Sequence, residues 1–284
     1  KQKVKKHNYD VLLGHEVSYR STEYLLGEAM GFPFDQMGND NMGLGATPSK
    51  VESTFYDKTL LSFYTRTNYN YDNRYLFTAT VRADGSTVFS SNKKWGFFPS
   101  FSAAWRVSEE AFMKDVKWIS NFKIRLGWGT VGNDNIPNYL SLDLYEANKY
   151  GIGNSSVTVL NPKQLRNKNL KWEGSNTTNL GIDLGFFDNR LNVADFFIKN
   201  TKDLLLSQSL AHITGFDSQM QNVGKIQNKG IELSLNSTNI QTRNFTWQTN
   251  FNISFIRNTL KSLASGVNYM QARSGFDSNF TSYD

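Results

Sequence analysis

Residues 95–107 alternate between apolar side chains and mostly small or polar ones, with Phe98 as the one bulky apolar residue in the second set. The segment reads WGFFPSFSAAWRV, with Trp95, Phe101 and Trp105 in one set and Gly96, Ser102 and Arg106 in the other. A period of two predicts a β-strand, because successive side chains point to opposite faces. Trp95 and Trp105 are 10 residues apart, which is roughly 33 Å along a strand and about 23 Å after a tilt of ~45°. That length matches the ~25 Å apolar band of a membrane barrel, with an aromatic ring at each boundary.

The same period recurs along the chain, and segments with a helical period are almost missing. The alternation predicts about nine strands, around residues 9–17, 61–69, 75–81, 95–107, 122–128, 180–186, 191–199, 231–235 and 245–255. Phe245 and Phe255 repeat the ten-residue spacing. The segment Leu191–Lys199 has a confused phase, which predicts a β-bulge there. The pattern therefore predicts an all-β, antiparallel protein.

Short and long connections alternate between these strands. Short ones fall near Asp72–Asn73, Asp188–Asn189 and Ser237–Asn244, and long polar ones around residues 18–55, 132–174, 200–228 and 258–284. Gly85–Lys94 and Ser108–Asn121 depart from the rule. Short turns at one end and long loops at the other are typical of an outer-membrane barrel. A soluble β-sandwich or β-helix also alternates, with its apolar face in a protein core, but has no reason to segregate loop lengths.

One face of each predicted strand is expected to contact lipid and the other a wet lumen. The lipid-facing and interfacial residues predicted from the alternation are Trp95, Phe97, Phe101, Trp105, Phe122, Trp128, Ile182, Phe245, Trp247, Phe251 and Phe255. The opposite positions carry Arg, Lys, Asp, Asn and Thr, which would be costly inside a packed sandwich core.

Composition supports this picture only in its aromatic content. The 284 residues include 6 Trp, 13 Tyr and 21 Phe, and such rings favour pleated surfaces and membrane boundaries. The absence of Cys excludes disulfides and cysteine-ligated metals. The net charge of +6 is dispersed apart from Lys1, Lys3, Lys5 and Lys6, so it indicates a solvated surface and no nucleic-acid partner. No apolar run approaches the roughly 18 residues of a membrane-spanning helix.

The motifs that resemble chemical sites fail on their context. Gly127–Gly132 matches G-x-G-x-x-G, but its glycines lie within a predicted strand, and no helix start follows as a nucleotide site requires. His7 and His15 are about 26 Å apart along a strand, too far to share a metal, and His212 has no catalytic partners. The clusters Gly38–Gly43 and Gly132–Asn138 lack the spacing of a calcium loop and indicate turns. The sequence predicts no catalytic, cofactor or metal residues, and hence no enzyme.

Aromatic residues in the long predicted connections are the candidate substrate contacts. They are Tyr24, Tyr139, Tyr145, Tyr150 and Phe216. Flat rings beside Asn and Asp suit stacking on sugars or gripping peptide side chains. The alternative, that these rings only pack the loops together, stays open.

Several longer stretches resemble the SusC/RagA family of TonB-dependent outer-membrane transporters. Residues 68–112 read NYNYDNRYLFTATVRADGSTVFSSNKKWGFFPSFSAAWRVSEEAF, and residues 122–139 read FKIRLGWGTVGNDNIPNY. Residues 169–191, 200–206 and 214–236 continue the resemblance in the same order, with NLKWEGSNTTNLGIDLGFFDNRL, NTKDLLL and TGFDSQMQNVGKIQNKGIELSLN. Within this pattern Trp105–Glu110 is expected at a periplasmic strand end and Asp84–Ser86 in a turn at the outer end.

The resemblance implies that residues 1–284 form part of one receptor β-barrel domain, about nine strands of a barrel of about 22. It further implies an N-terminal plug driven by TonB, a SusD-like surface lipoprotein as lid, and import of oligosaccharides or oligopeptides across a Gram-negative outer membrane. The plug, the TonB-contact segment and the last strand are not found in this sequence. A non-transporting surface protein, an adhesin or docking scaffold, is the alternative function, and an upstream plug domain would distinguish the two.

Overall fold

The computed structural model describes residues 2–4, 6–34, 40–187, 190–263, 269–273 and 278–282. Its elements are strands joined by turns and four three-residue 3-10 helices. The strands are β1 (Gln2–Val4), β2 (His7–Met30), β3 (Thr47–Tyr71), β4 (Tyr75–Ser86), β5 (Trp95–Arg106), β6 (Ile119–Asn133), β7 (Tyr145–Ile152), β8 (Ser155–Pro162), β9 (Glu173–Phe186), β10 (Arg190–Lys202), β11 (Leu205–Ser209), β12 (Ser218–Asn222), β13 (Lys225–Gln241), β14 (Thr246–Ser262), β15 (Tyr269–Arg273) and β16 (Ser278–Ser282). The 3-10 helices are Met42–Leu44, Val107–Glu109, Ala111–Met113 and His212–Thr214.

Ten strands form one antiparallel sheet. Their order is β1-β2-β3-β4-β5-β6-β9-β10-β13-β14, so each strand pairs with the strand of this sheet that follows it in the sequence. The remaining strands form the separate hairpins β7–β8, β11–β12 and β15–β16. Nine of the ten sheet strands have 12 residues or more, and β1 has three. The predicted all-β, antiparallel architecture is confirmed.

The two ends of the sheet differ as predicted, and we name them the turn end and the loop end. At the turn end, Asp72 and Asn73 have φ of 52° and 55° in the three-residue connection between β3 and β4, where the Arg74 N–H donates to the Tyr71 carbonyl at 2.9 Å. Asp and Asn adopt such a positive φ more readily than most residues with a side chain. Asn70 Oδ1 accepts a hydrogen bond of 2.9 Å from the Asn73 N–H, which closes this turn. The predicted turn at Asp188–Asn189 lies outside the described residues, as do residues 38 and 39 of the Gly38–Gly43 cluster.

The long connections predicted at the loop end consist largely of β-strands in the structure. Residues 18–30 and 47–60 extend β2 and β3 into a ribbon, in register from His7↔Tyr71 to Met30↔Thr47 with one shift at Glu28/Ala29. Strands of 24 and 25 residues are about 80 Å long, whereas ~9–11 residues suffice to cross a membrane. The segments 132–174 and 200–228 likewise contain the hairpins β7–β8 and β11–β12. Asp84–Ser86, expected as a turn, is the end of β4.

The predicted bulge in Leu191–Lys199 is wrong. β10 pairs with β9 and with β13 in unbroken register from Arg190 to Lys202. The confused phase arises because Phe197 places an aromatic ring on the polar face of the sheet, beside Asp195 in the alternation. A Cβ added at Gly230, its cross-strand partner, would lie 2.9 Å from the Phe197 ring, so the glycine leaves room for that ring.

The sheet has two chemically distinct faces, which we call the apolar face and the polar face. On the apolar face, aromatic rings of different strands contact one another at the two boundaries. Near the turn end Tyr75 stacks on Tyr71 at 6.2 Å and on Trp105 at 6.5 Å, and near the loop end Phe63 stacks on Trp95 at 6.2 Å. The cross-strand register produces the row at the turn end, because Tyr71↔Tyr75 and Tyr75↔Trp105 are direct partners. At the loop end, Phe63 of β3 and Trp95 of β5 meet across β4.

Candidate substrate surface at the loop end

The hydrophobic core of the described residues lies at the loop end. Phe89 and Leu170 are buried to 1% and 0% exposure, together with Val88 and Ile136, and Leu140, Trp172, Leu205 and Met220 pack around them. These residues come from the β4–β5, β6–β7 and β8–β9 connections and from the β11–β12 hairpin. Polar, aperiodic segments therefore fold into one unit, which we call the loop platform.

Side-chain amides connect the parts of the loop platform. Asn222 accepts a hydrogen bond of 2.8 Å from the Lys171 N–H, and its amide donates to the carbonyls of Lys171 at 2.7 Å and Asp203 at 3.0 Å. Asn167 donates to the Met220 carbonyl at 2.9 Å. Because these bonds satisfy backbone groups that no strand partner reaches, they hold the connections in one conformation.

A cluster of aromatic and glycine residues joins the loop platform to the sheet. Trp172 lies 5.3 Å from Phe89 and 5.3 Å from Phe98, and its Nε1–H donates to the Lys94 carbonyl at 2.9 Å. Gly132 lies beneath the rings of Phe98 and Trp172, where any Cβ would overlap them. This glycine belongs to the G-x-G-x-x-G match, which lies within β6 as the sequence predicted.

Tyr139 is the predicted substrate residue that the structure places between two cavities. Its hydroxyl donates to Asp57 Oδ1 at 2.7 Å and accepts from the Asp57 N–H at 3.1 Å. The hydrogen bond to the Asp57 carboxylate raises the pKa of the Tyr139 hydroxyl, so the ring stays neutral. The backbone of Tyr139 has φ of 67°, a strained conformation that the loop contacts hold.

The two cavities beside Tyr139 are open and are lined by both apolar and polar residues. One, of about 730 Å³, is also lined by Arg20, Lys58, Tyr56 and Asn135. The other, of about 680 Å³, is also lined by Ser90, Ser141, Arg166 and Lys168. An aromatic ring between guanidinium, ammonium and amide donors matches the requirements of a hydroxyl-rich or peptide ligand. The cationic lining residues were not predicted, although Arg20 and Lys58 are direct cross-strand partners on one strand face.

The other predicted substrate aromatics are not gathered at Tyr139. Tyr24 is exposed on the β2–β3 ribbon, and Tyr145 and Tyr150 are 61% and 63% exposed on β7. Phe216 is half-buried beside Thr214, whose hydroxyl donates to the Phe216 carbonyl at 3.2 Å. The packing role that the sequence left open for these rings is filled instead by Phe89 and Trp172.

The polar face carries two ion-pair networks. Arg125 donates to Asp183 at 2.8 Å and lies 3.0 Å from Asp195, and Lys123 lies 3.1 Å from Asp183. A Cβ at Gly181 would lie 2.6 Å from Arg125 Cζ, so this glycine makes room for the network. Further along the sheet Arg82 contacts Asp84 at 2.7 Å and Glu16 at 3.1 Å.

The predicted lipid-facing residues share the apolar face, and nine of the eleven are exposed. Trp95, Phe101 and Trp105 are 54%, 43% and 37% exposed. Phe97, Trp128, Phe245, Trp247, Phe251 and Phe255 are also exposed, and Phe122 and Ile182 are half-buried. In a sandwich the apolar face of β5 would pack into a protein core, whereas here it is exposed.

At the turn end, Glu110 accepts three side-chain hydrogen bonds. The donors are the Tyr75 hydroxyl at 2.7 Å, the Trp105 Nε1–H at 3.1 Å and the Arg74 guanidinium at 3.3 Å. These bonds, that from Tyr75 first, lower the pKa of the Glu110 carboxyl. The Trp-Arg-x-Ser-Glu-Glu motif is therefore architectural, because its second Glu holds two boundary aromatics of neighbouring strands.

The described residues contain no group of three or more His, Asp or Glu side chains arranged to hold a metal. His7 lies 2.9 Å from the Tyr69 hydroxyl and beside the Tyr71 ring. No helix in the described part of the chain is long and apolar enough to span a membrane.

Comparison with known proteins places this sheet in a family. Residues 4–283 match the family model described as TonB dependent receptor-like, beta-barrel. The chain is 42% identical over 215 residues to TonB-dependent receptor SusC of Bacteroides thetaiotaomicron, covering 73% of this chain and 21% of SusC. It is 37% identical over 261 residues to TonB-dependent receptor P3 of Formosa agariphila, covering 92% of this chain and 26% of that receptor.

Solved structures agree with this assignment. The structure of the RagAB peptide transporter superposes with a TM-score of 0.87 at 27% identity, over 99% of this chain and 31% of that chain. The outer membrane transporter YddB from Escherichia coli, at 16% identity and a TM-score of 0.61, shares the fold. The chain spans about a quarter of the length of the curated relatives that it matches. It belongs to the TonB-dependent receptor β-barrel family and is a SusC-like segment of a barrel in the outer membrane of a Gram-negative bacterium.

Proposed function

We propose that the full-length protein imports oligosaccharides or oligopeptides across the outer membrane, driven by TonB and assisted by a SusD-like surface lipoprotein. The observation that carries this proposal is the 42% identity to SusC, over 73% of the chain. The match to the RagAB peptide transporter supports peptides as the second cargo class. The protein would then be a transporter that makes and breaks no covalent bond.

The loop platform supports the binding step of this proposal. Its buried core and amide ties keep the two cavities beside Tyr139 in shape before cargo arrives, so little conformational entropy is lost on binding. Cargo would bind between the lid lipoprotein and the platform, with Tyr139 as the aromatic surface and Arg20 and Lys58 as donors. Passage would follow the polar face once TonB displaces the plug.

The apolar face supports the membrane placement of these residues. Its exposed aromatic side chains contact one another at both boundaries, where outer-membrane barrels have their interfacial girdles. We assign this face to outer-membrane lipid and the polar face to the lumen, where ion pairs such as Arg125–Asp183 lie beside water.

Growth of a deletion strain on single oligosaccharides and single oligopeptides tests the proposal. Loss of growth on one nutrient, restored by the intact gene, would identify the cargo class. Cargo binding to the purified complex of transporter and lid should fall about ten-fold for Tyr139→Ala, since the proposed aromatic contact with cargo is lost, together with the two hydrogen bonds to Asp57 that fix the position of the loop. Tyr150→Ala, in an exposed ring of β7, is the matched control and should bind normally. Unchanged uptake of every nutrient tested would reject import and favour an adhesin or docking scaffold.

A further inference from the structure

Two cations lie side by side on the apolar face near the loop end. Lys229 of β13 and Arg257 of β14 are direct cross-strand partners, and both side chains are exposed. Alternate residues of a strand share a face, so Lys229 lies on the face of Ile231, and Arg257 on the face of Phe255. This face is otherwise aliphatic and aromatic along the middle of both strands.

The position of the pair along the strands sets its depth. The apolar stretch of β14 runs from Trp247 to Phe255 with Phe251 at its middle, and Arg257 is 6 residues beyond Phe251. At ~3.3 Å per residue and a tilt of ~45°, that separation is about 14 Å along the membrane normal. Half of a ~25 Å apolar band is about 12 Å. The two cations therefore lie where the headgroups of the outer leaflet begin.

Within the described residues no carboxylate pairs with either cation. Every ion pair there involves other side chains. Like charges directly opposite each other destabilise a strand pair. An anion between Lys229 and Arg257 would turn this repulsion into two charge-assisted hydrogen bonds.

The surroundings of the pair match a lipid more closely than a free ion. An open groove of about 560 Å³ leads from the cations toward the middle of the apolar face, lined by Phe196, Ile198, Ile231 and Phe255. One row further toward the loop end, the Gln227 amide donates to Asn200 at 2.8 Å on the same face. From the middle of the apolar face toward the loop end, the surface is thus first apolar, then cationic, then amide. This order matches the acyl chain, the phosphate and the polar headgroup of a lipid.

We propose that Lys229 and Arg257 bind the phosphate of an outer-leaflet lipid whose acyl chain lies in this groove. The proposal rests on the apolar face lying in lipid. The site would anchor the barrel at a fixed depth, because raising or lowering it would separate the phosphate from the cations. Bound anionic lipid also removes the cost of placing two charges at the edge of the apolar band.

Native mass spectrometry of the full-length transporter in neutral detergent tests the site, with lipid A as the probe. The Lys229→Gln/Arg257→Gln variant should bind lipid A about ten-fold more weakly, because two charge-assisted hydrogen bonds are lost. The swap Lys229→Arg/Arg257→Lys keeps both charges and should retain binding. Lys149→Gln/Lys163→Gln removes the same charge from exposed loop-end positions and is the matched control. A gel shift on heating confirms that each variant is folded.

Two further arms separate the lipid from its parts. Dephosphorylated lipid A should bind equally weakly to the wild type and to the Gln variant, and millimolar inorganic phosphate should fail to displace lipid A. Equal lipid A binding by the wild type and the Gln variant, or displacement by phosphate alone, would overturn the proposal. The Phe101→Arg measurement described below tests the lipid-facing assignment separately.

Discussion

An arginine at Phe101 should test directly which face of the sheet contacts lipid. Phe101 lies near the middle of the β5 apolar row, is 43% exposed, and contacts Phe77 at a ring distance of 6.4 Å. In water, losing this half-exposed contact would cost about 1 kcal/mol. In a bilayer, a midplane arginine adds about 2–4 kcal/mol because its charge leaves water. Phe101→Arg should therefore destabilise the folded barrel by about 3–5 kcal/mol.

Urea titration of the full-length protein refolded into lipid vesicles measures this cost. Phe101→Ala reports the loss of the aromatic contact alone, and the difference from Phe101→Arg isolates the charge. Ser102→Arg, one residue along on the polar face and exposed, is the matched control and should change stability by less than about 1 kcal/mol. Equal destabilisation by Phe101→Arg and Ser102→Arg would refute the assignment of the two faces.

Three further changes probe the two ends of the sheet. Glu110→Gln should destabilise the protein near neutral pH, and the difference from the wild type should vanish in acid. The reason is that the folded state lowers the pKa of the Glu110 carboxyl, so its ionised form stabilises the fold above the unfolded pKa and loses this effect as the pH falls through the folded pKa. Urea titrations at several pH values measure the difference, and a difference that is constant with pH would contradict the argument. Leu170→Ala should cost about 2–5 kcal/mol in the loop platform and open it to proteolysis, whereas Leu160→Ala, 70% exposed on β8, should not. Gly132→Val should loosen the same platform by about 1–3 kcal/mol through overlap with the rings above it; Gly151→Ala, with open space around its Cβ, should leave protease resistance unchanged.

The strands and their faces were predictable because their signal is local. Trp95, Phe101 and Trp105 alternate with small and polar residues, and such a period determines a strand and its two faces. The prediction of a bulge in β10 failed because a single residue broke the alternation, and the contact that explains this residue is on another strand. Phe197 confused the phase of β10, but it packs over Gly230 of β13, and no pattern within β10 announces that glycine.

The candidate site was predictable only in part. Tyr139 was predicted as a substrate contact because flat rings beside Asn and Asp suit sugars and peptides, and the structure places it between two cavities. Phe89 and Leu170 were missed, since isolated apolar residues in aperiodic segments carry no signal of the partners that bury them. The β2–β3 ribbon was missed for a related reason: Leu25 and Val51 are more than three-quarters exposed, so burial does not impose an alternating pattern there.

The sheet and the loops are stabilised by different interactions, as the location of the buried core indicates. Four of the five buried apolar residues among those described belong to the loop platform, and the fifth, Val107, is at the turn end. The strands between them expose one face to lipid and the other to the lumen in our assignment, so ladder hydrogen bonds, aromatic rows and ion pairs must stabilise them. The platform has a core of its own, so we expect it to keep its shape without the proposed cargo or lid. In the proposed import cycle, conformational change should therefore occur in the lid and plug, while the surface around Tyr139 stays fixed.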